Sequence, residues 1–269
     1  MSERAFASNP LTSEFEHIVV EHSADVLRVR INRPEKRNAL SRAVLAEIAS
    51  VFSHYAEEAA LKVAVLTGVG EKAFAAGGDL QEFSTIRTDS EARALFRSAR
   101  EALQRIREFP LPVVAALNGT AVGGGAELAL ACDFRVAASG ASLGFVQARL
   151  NISTGFGGGA DLMRVLGPSQ GLLCALRAEV LAASDARALG LIDEVAAAGE
   201  SLDDCLERFL APLRKPVPQV IRSYKAMALA ERNRLHPDLL SEIEMAGFAQ
   251  TWVHPDHWAA ADKVLAKKR

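Results

Sequence analysis

The chain has 269 residues, 49% of them hydrophobic and 24% charged, with a formal net charge of -2. That length suits one large domain or a domain with an appendage, and the near-neutral balance excludes a general electrostatic pull toward nucleic acid or anionic membranes. Three cysteines, Cys132, Cys174 and Cys205, have no paired or metal-like spacing and predict a reduced, cytoplasmic setting.

The N-terminal MSERAFASNPLTSEFEH has no apolar h-region and carries several acids, so neither a secretory signal nor a transit peptide is expected. No uninterrupted apolar run reaches the length of a membrane span.

Short strands alternate with helical patterns. His17–Val20 and Val26–Ile31 read as a strand pair around the turn Ser23-Ala24-Asp25. Ser41 can cap a helix running through VLAEIASVFSHYAEEA. Val63–Thr67 is a buried strand leading into a glycine-rich loop, and Asp89–Glu108 is a charged amphipathic helix. Val113–Leu117 is a second buried strand that again leads into glycines. Phe134–Ala137 and Leu143–Val146 are shorter strand candidates. Beyond Gly155 to Gly159 the pattern is mostly helical, with breaks at Pro168, Pro212, Pro216, Pro218, Pro237 and Pro255. By composition, the patch from Arg214 to Pro218 is the best internal boundary. The layout is α/β followed by a helical tail.

Three stretches imitate other chemistry. Gly68-Val-Gly70-Glu-Lys-Ala73 follows a strand and fits a dinucleotide fingerprint, which needs a helix on its last glycines. The following FAAGGDLQEF has no helical apolar period, so a strand-to-loop exit is expected. Gly140-Ala-Ser142-Leu-Gly144 fits a nucleophile elbow, with Asp193 and then His236, His254 or His257 in hydrolase order. An elbow requires strand, turn and helix, whereas LGFVQARL reads as strand, so Ser142 is expected to be a turn residue. His254-Pro-Asp-His257 has no third metal ligand placed, and no metal is expected.

The run TAVGGGAELALACD poses a sharper question. From Leu111 to Cys132, Glu127 is the only residue charged at neutral pH. A glycine turn opening a helix leaves bare N–H groups at the positive end of the dipole, and glycine lets a ligand approach that backbone closely. AFAAGGDLQEF offers a second set of bare N–H groups at Gly77 and Gly78. Two such loops facing each other would present two donors to one oxygen, the geometry of an oxyanion hole. Glu127 would sit beside them on the first helical turn, and burial would raise its pKa toward that of a proton shuttle. Equally, it could be a structural acid paired with an arginine or with backbone.

INRPEKRNALS (31–41), KAFAAGGDLQEF (72–83), PVVAALNGTAVGGGAELALACDFRVA (112–137) and LIDEV (191–195), in that order, resemble the enoyl-CoA hydratase/isomerase, or crotonase, superfamily. The resemblance covers nearly the whole chain. It implies an α/β fold, a crotonase (ClpP-like) spiral of β-β-α units over residues 1–200. Residues 201–269 would form a helical C-terminal region that takes part in oligomerisation and covers the active site. It further implies a homo-oligomer, trimer or dimer of trimers, and a place in fatty acid metabolism. The substrate would be an acyl-CoA thioester, with no cofactor beyond the CoA that the substrate brings.

Matched onto this sequence, the oxyanion donors are Gly78 and Gly124, and Glu127 is the first of two catalytic glutamates. Ala75, Ala76, Asp79, Leu80 and Gln81 fall around the acyl-CoA site near Gly78. Lys36 and Arg37 fall where the family meets the CoA nucleotide, and Lys267 where a C-terminal lysine contributes; solvated surface charge is the alternative for these three. The second glutamate is replaced by Gln147, which cannot exchange a proton at neutral pH. Gln147 and Arg149 could hold a substrate carboxylate if they shared a regular strand face, although an outward Arg149 is the expectation. Phe83, Phe96, Phe145 and Phe156 are candidates for the pocket wall. The resemblance therefore implies hydratase or related lyase chemistry with a single glutamate, with decarboxylation of a methylmalonyl- or ethylmalonyl-type CoA as the alternative. A non-catalytic acyl-CoA binder and a serine hydrolase using Ser142 are the distant readings.

Overall fold

The computed structural model describes residues 15–23, 25–234, 236, 243–248, 250, 255, 256 and 259. Strands β1 (Ile18–His22) and β2 (Val26–Ile31) form an antiparallel hairpin with Ile18 opposite Ile31. Parallel strands β3 (Val63–Gly68), β5 (Val113–Leu117), β7 (Phe134–Ala137) and β10 (Glu194–Val195) extend it, in the order β1-β2-β3-β5-β7-β10. A second, four-stranded sheet has the order β4-β6-β8-β9, from β4 (Ala73–Ala75), β6 (Thr120–Val122), β8 (Ser142–Gly144) and β9 (Leu181–Ala182).

Strand alternation divides the core. Leu27, Val29, Ala64, Leu66, Val113 and Ala115 face one cluster, which includes Ile48 and Phe52 of α1 (Arg42–His54) and Leu103 and Ile106 of α3 (Asp89–Arg107). Val26, Val63, Val65, Val114, Ala116 and Val136 face the other way, onto Cys205, Leu206 and Leu210 of α8 (Leu202–Leu213). Buried strands covered on both faces account for the unbroken apolar runs in the sequence. Ser41 caps α1 by accepting from Val44 N at 3.2 Å. Thr88 and Glu91 form a capping box on α3.

The chain-order reading holds for β2, β5 and β7 and for α1 and α3 to within a few residues. The strand expected over Leu143–Val146 ends at Gly144, and Gln147–Leu150 coil into a 3-10 turn. Gln147 and Arg149 therefore share no strand face; Gln147 is buried and Arg149 exposed. Pro212 lies inside α8, one residue before its end, whereas Pro168 and Pro218 open α6 (Pro168–Arg177) and α9 (Pro218–Arg232). Strands β4, β6, β9 and β10 are too short to show a period of two.

Helix α4 (Gly124–Ala131) starts directly after β6, and all eight of its residues are buried. It packs against β4 and against α5 (Gly158–Leu166). Contact with β4 is possible only because residue 125 has no side chain: a Cβ there would lie 2.0 Å from the Ala75 carbonyl oxygen. Gly125→Ala is expected to destabilise the protein by about 1–3 kcal/mol or more through forced backbone displacement. Urea unfolding at constant m-value measures this, and an unchanged midpoint would contradict the packing.

Candidate active site

The loop after β4 is held by the segment preceding α1. Ala76 N donates to Arg37 O at 3.1 Å, Leu40 N to Gly77 O at 2.8 Å, and Asp79 N to Leu40 O at 3.0 Å. This bridging pattern pairs both neighbours of Gly78 and leaves the Gly78 N–H without a backbone partner among the described residues. Asn38, in a left-handed conformation with φ 52–56° shared by Arg37, accepts from Arg33 N and donates to Val69 O and Ala73 O. Asp79 caps the short helix α2 (Leu80–Phe83) by accepting from Glu82 N, and takes the buried Arg33 guanidinium at 3.0 Å. Burial pushes its carboxyl up, but the Glu82 and Arg33 hydrogen bonds and the nearby Lys36 and Arg33 charges outweigh that and hold it below its usual value.

Gly124 opens α4, so its N–H belongs to the set that no helical carbonyl can satisfy. Gly123, at φ 56°, makes the turn into the helix. A Cβ built on Gly124 would lie 3.2 Å from Gly78 N, and one built on Gly77 would lie 3.5 Å from Gly124 N. The two loops thus converge. The α4 dipole adds positive potential at the same point.

Glu127 lies one helical turn on and is 1% exposed. Its Oε1 accepts from Gln147 Nε2 at 2.9 Å and Gly155 N at 3.1 Å; its Oε2 accepts from Phe156 N and Gly158 N, both at 2.8 Å. An ionised carboxylate offers about four lone-pair sites, and these four donors fill them. Burial nevertheless dominates and raises the Glu127 pKa above the ordinary glutamate value, with the four hydrogen bonds pulling it back. The backbone-paired alternative for Glu127 is what the structure contains, with the pairing drawn from the 155–158 turn rather than from an arginine. Gly158 is required here, because a Cβ would sit 2.5 Å from Glu127 Cβ.

A cavity of about 760 Å³ opens over these groups, a size suited to a small-molecule site. Ala76, Gly78, Leu80, Gly124, Glu127 and Gln147 line it. Among its lining residues Glu127 is the sole titratable side chain. Phe83, Phe96 and Phe156 line it too, whereas Phe145 is 1% exposed in the core. Ala75, Asp79 and Gln81 lie outside the lining: Ala75 is buried in β4, Asp79 serves Arg33 and the α2 cap, and Gln81 faces solvent. Lys36 is half-exposed, 3.9 Å from Asp79, and Arg37 is exposed. Lys267, His254 and His257 lie outside the described residues. Sequence reasoning missed the wall formed by Ile86, Leu95, Val146, Leu150 and Ile152 with Ser153 and Thr154. The mixed 3.6-residue pattern of α3 was the available signal for Leu95; the loop residues carried none.

The look-alike motifs resolve locally. Gly70 at φ 88° turns the chain into strand β4, so no helix opens on the glycine fingerprint. Ser142, expected to be a turn residue, lies instead in strand β8 and donates to Thr120 Oγ1 at 3.1 Å, so the strand–turn–helix elbow is not built, and Asp193 accepts from Arg135. No group of three or more potential metal-ligating side chains occurs among the described residues. No helix among them is long and apolar enough to cross a membrane.

The chain is similar to known proteins over most of its length. Residues 21–254 match the family model described as Enoyl-CoA hydratase/isomerase. The chain is 35% identical to the crotonyl-CoA hydratase of Syntrophomonas wolfei subsp. wolfei over 95% of this chain and 97% of that one. It is 33% identical to the mitochondrial methylglutaconyl-CoA hydratase of Mus musculus over 86% of this chain and 74% of that one. A solved enoyl-CoA hydratase from Bacillus anthracis superposes with a TM-score of 0.85 at 30% identity, covering 94% of this chain and 97% of that one.

The raised Glu127 pKa fixes the sign of a stability effect. The folded protein binds this proton more tightly than the unfolded chain. Its contribution to stability therefore falls as pH rises from the ordinary glutamate value through the raised one. The stability of the wild type minus that of Glu127→Gln, from urea unfolding up to about pH 8, is expected to decline over that window. A flat or rising difference would contradict the assignment.

Proposed function

The chain belongs to the enoyl-CoA hydratase/isomerase family, and from that premise we propose that it hydrates an enoyl-CoA thioester using one carboxylate. The observation that carries this reading is the convergence of two unpaired amides, Gly78 and Gly124, beside buried Glu127 in an apolar cavity. Both N–H groups donate to the thioester oxygen. Water adds through its oxygen to C3, the C2=C3 π electrons move toward the carbonyl, and the resulting enolate oxygen draws the two donors closer. Glu127 accepts the proton released by the water and returns one to C2. Taking that proton needs a lone pair, so the longest of its four contacts, Gly155 N at 3.1 Å, is the one that yields.

The apolar rim supports a substrate whose acyl chain is hydrocarbon and whose CoA lies outside. Leu80, Leu150 and Ile152 are 63%, 54% and 56% exposed around it. We assign their cover to the C-terminal region from 201 onward, in a homo-oligomer. Lys36, beside the neutralised Arg33–Asp79 pair, puts positive charge near the loop that the nucleotide phosphates would pass.

A second reading, decarboxylation of a malonyl-type CoA, is favoured by one observation: Gln147 stands where a second acid would be needed for paired acid–base work, and decarboxylation needs no base. The two readings diverge on substrates. Incubated with crotonyl-, aromatic enoyl-, methylmalonyl- and ethylmalonyl-CoA, the protein is expected to consume an enoyl thioester. Glu127→Gln should lower that hydration by about 10²–10⁴-fold. Gly124→Val, whose side chain would enter Phe156 and crowd Gly78 N, should cost about 10²–10³-fold with every thioester. Consumption of malonyl-type substrates alone, with enoyl thioesters untouched, would replace hydration with decarboxylation. Full activity in Gly124→Val would remove the two-amide assignment.

A further inference from the structure

Phe96 belongs to two openings. It lines the cavity over Glu127, and it also lines a groove of about 370 Å³ along the outer face of α3. The groove is charged where the cavity is apolar. Arg97 and Arg100 stand on it directly after Phe96, and neither side chain makes an ion pair or a hydrogen bond among the described residues. The neighbouring charges are matched to other partners. Glu101, one turn from Arg97, pairs instead with Arg105 at 3.8 Å, and Arg93 pairs with Asp89 at 2.7 Å. Glu108 takes Gln104 Nε2 at 2.7 Å, two turns beyond Arg100. Like charges three residues apart repel across a helix surface, so leaving both arginines without an acid is a cost to α3. Arg100 is also held in place: a Cβ on Gly157 would lie 3.3 Å from its Cγ, which sets the arginine stem against the turn that binds Glu127.

We propose that Arg97 and Arg100 form a subsite for a carboxylate at the far end of the acyl chain, so that the substrate is the CoA thioester of a dicarboxylic acid. The inference rests on the acyl-CoA reading of the cavity and adds a second point of attachment to it. The thioester end is fixed at Gly78 and Gly124, the hydrocarbon lies against Phe83, Leu95 and Phe156, and the chain leaves past Phe96. Phe96 is 41% exposed and forms part of the wall of both spaces. A carboxylate inside the cavity would be costly, because the lining offers it no cation and Glu127 repels it. One turn of α3 farther on, the same group meets two guanidinium forks whose geometry suits it. Chain length is thereby selected. Too short a diacid leaves its charge in the apolar cavity, and a methyl-ended chain leaves the arginines unmatched.

Saturated thioesters test this without turnover, because they lack the double bond to which water adds. Titration calorimetry on the intact protein compares succinyl-, adipoyl-, suberoyl- and sebacoyl-CoA with the methyl-ended CoA thioesters of the same carbon number. Succinyl-CoA is expected to bind more weakly than butyryl-CoA. At one longer chain length the diacid should bind about two- to thirtyfold more tightly than its methyl-ended counterpart, the range for two partly exposed ion pairs. That advantage should shrink as salt rises from about 0.05 to about 0.5 M. Arg97→Gln combined with Arg100→Met, which keeps a stem against Gly157, should erase the advantage while the methyl-ended compounds still bind. Equal or weaker binding of every diacid by the wild type would overturn the proposal, as would an advantage indifferent to salt or one that survives in the double variant. The wild-type comparisons decide the matter even if the variant fails to fold. Failure to bind any of the thioesters, butyryl-CoA included, would instead overturn the acyl-CoA reading on which the proposal rests.

Discussion

The site is organised by one buried negative charge. Glu127 accepts three backbone N–H groups from the turn spanning Gly155 to Gly158 and one side-chain N–H from Gln147. A carboxylate taken out of water without partners would be strongly unfavourable. Here three of the four partners come from a single turn that must bend around it, and that turn leads into α5. The position of α5, the orientation of the Gln147 amide and the back wall of the cavity all follow from satisfying this one group. The same donors oppose the effect of burial on its pKa, so the acid is held between a buried neutral group and a fully stabilised ion.

The two candidate oxyanion amides are left free by different means. Gly124 has no partner among the described residues because it is the first residue of a helix, a matter of geometry in any α-helix. Gly78 has none because the strand-like pairing with residues 37–40 uses its neighbours on either side. That pairing depends on Arg33, Asn38 and Asp79, whose mutual hydrogen bonds fix the 33–40 segment against the 76–79 loop. In the proposed reaction the INRPEKRNALS motif thus acts at one remove: it shapes the backbone on either side of the Gly78 amide. Asp79 and Arg33 are positioning residues in this sense, which explains why an acid in the loop nearest the cavity does not face it.

Much of this was legible in the sequence because it rests on local rules. The glycine runs at 77–78 and 123–125, the isolated acid at 127 and the buried runs at 63–67 and 113–117 each state a local requirement, and the structure meets each. What was illegible depended on non-local pairing. Whether Glu127 would meet an arginine or bare backbone could not be read from its neighbours, since its partners lie 20 to 31 residues away. The segment after Gly144 looked like strand because LGFVQARL is apolar and β-prone. Closing the turn that brings Gln147 onto Glu127 overrides that preference. The cavity wall from Leu95 was hidden for a related reason: it sits partly exposed on a helix rich in charge, and only the fold reveals that it overlooks a cavity.

Helix α4 is fixed at both ends by side chains that do not line the cavity. At its C-terminus, Arg232 of α9 donates to Leu130 O at 3.2 Å and Ala131 O at 3.4 Å, satisfying carbonyls that the helix leaves open and complementing its dipole. Lys225 of the same helix reaches Asp133 Oδ1 at 2.6 Å. Near its N-terminus, the donor turn is fastened through Asp161 in the first turn of α5, which accepts Arg107 Nε and Nη2 at 2.9 and 2.7 Å. Arg107 ends α3, the helix that also supplies Leu95 and Phe96 to the cavity wall. A displacement of α3 by an ill-fitting acyl chain would therefore be transmitted through a buried ion pair to the turn that holds Glu127. Breaking such a pair is costly, so α3 and the donor turn are firmly joined. In the proposed reaction, this ion pair joins the wall of the cavity to the turn that places Glu127.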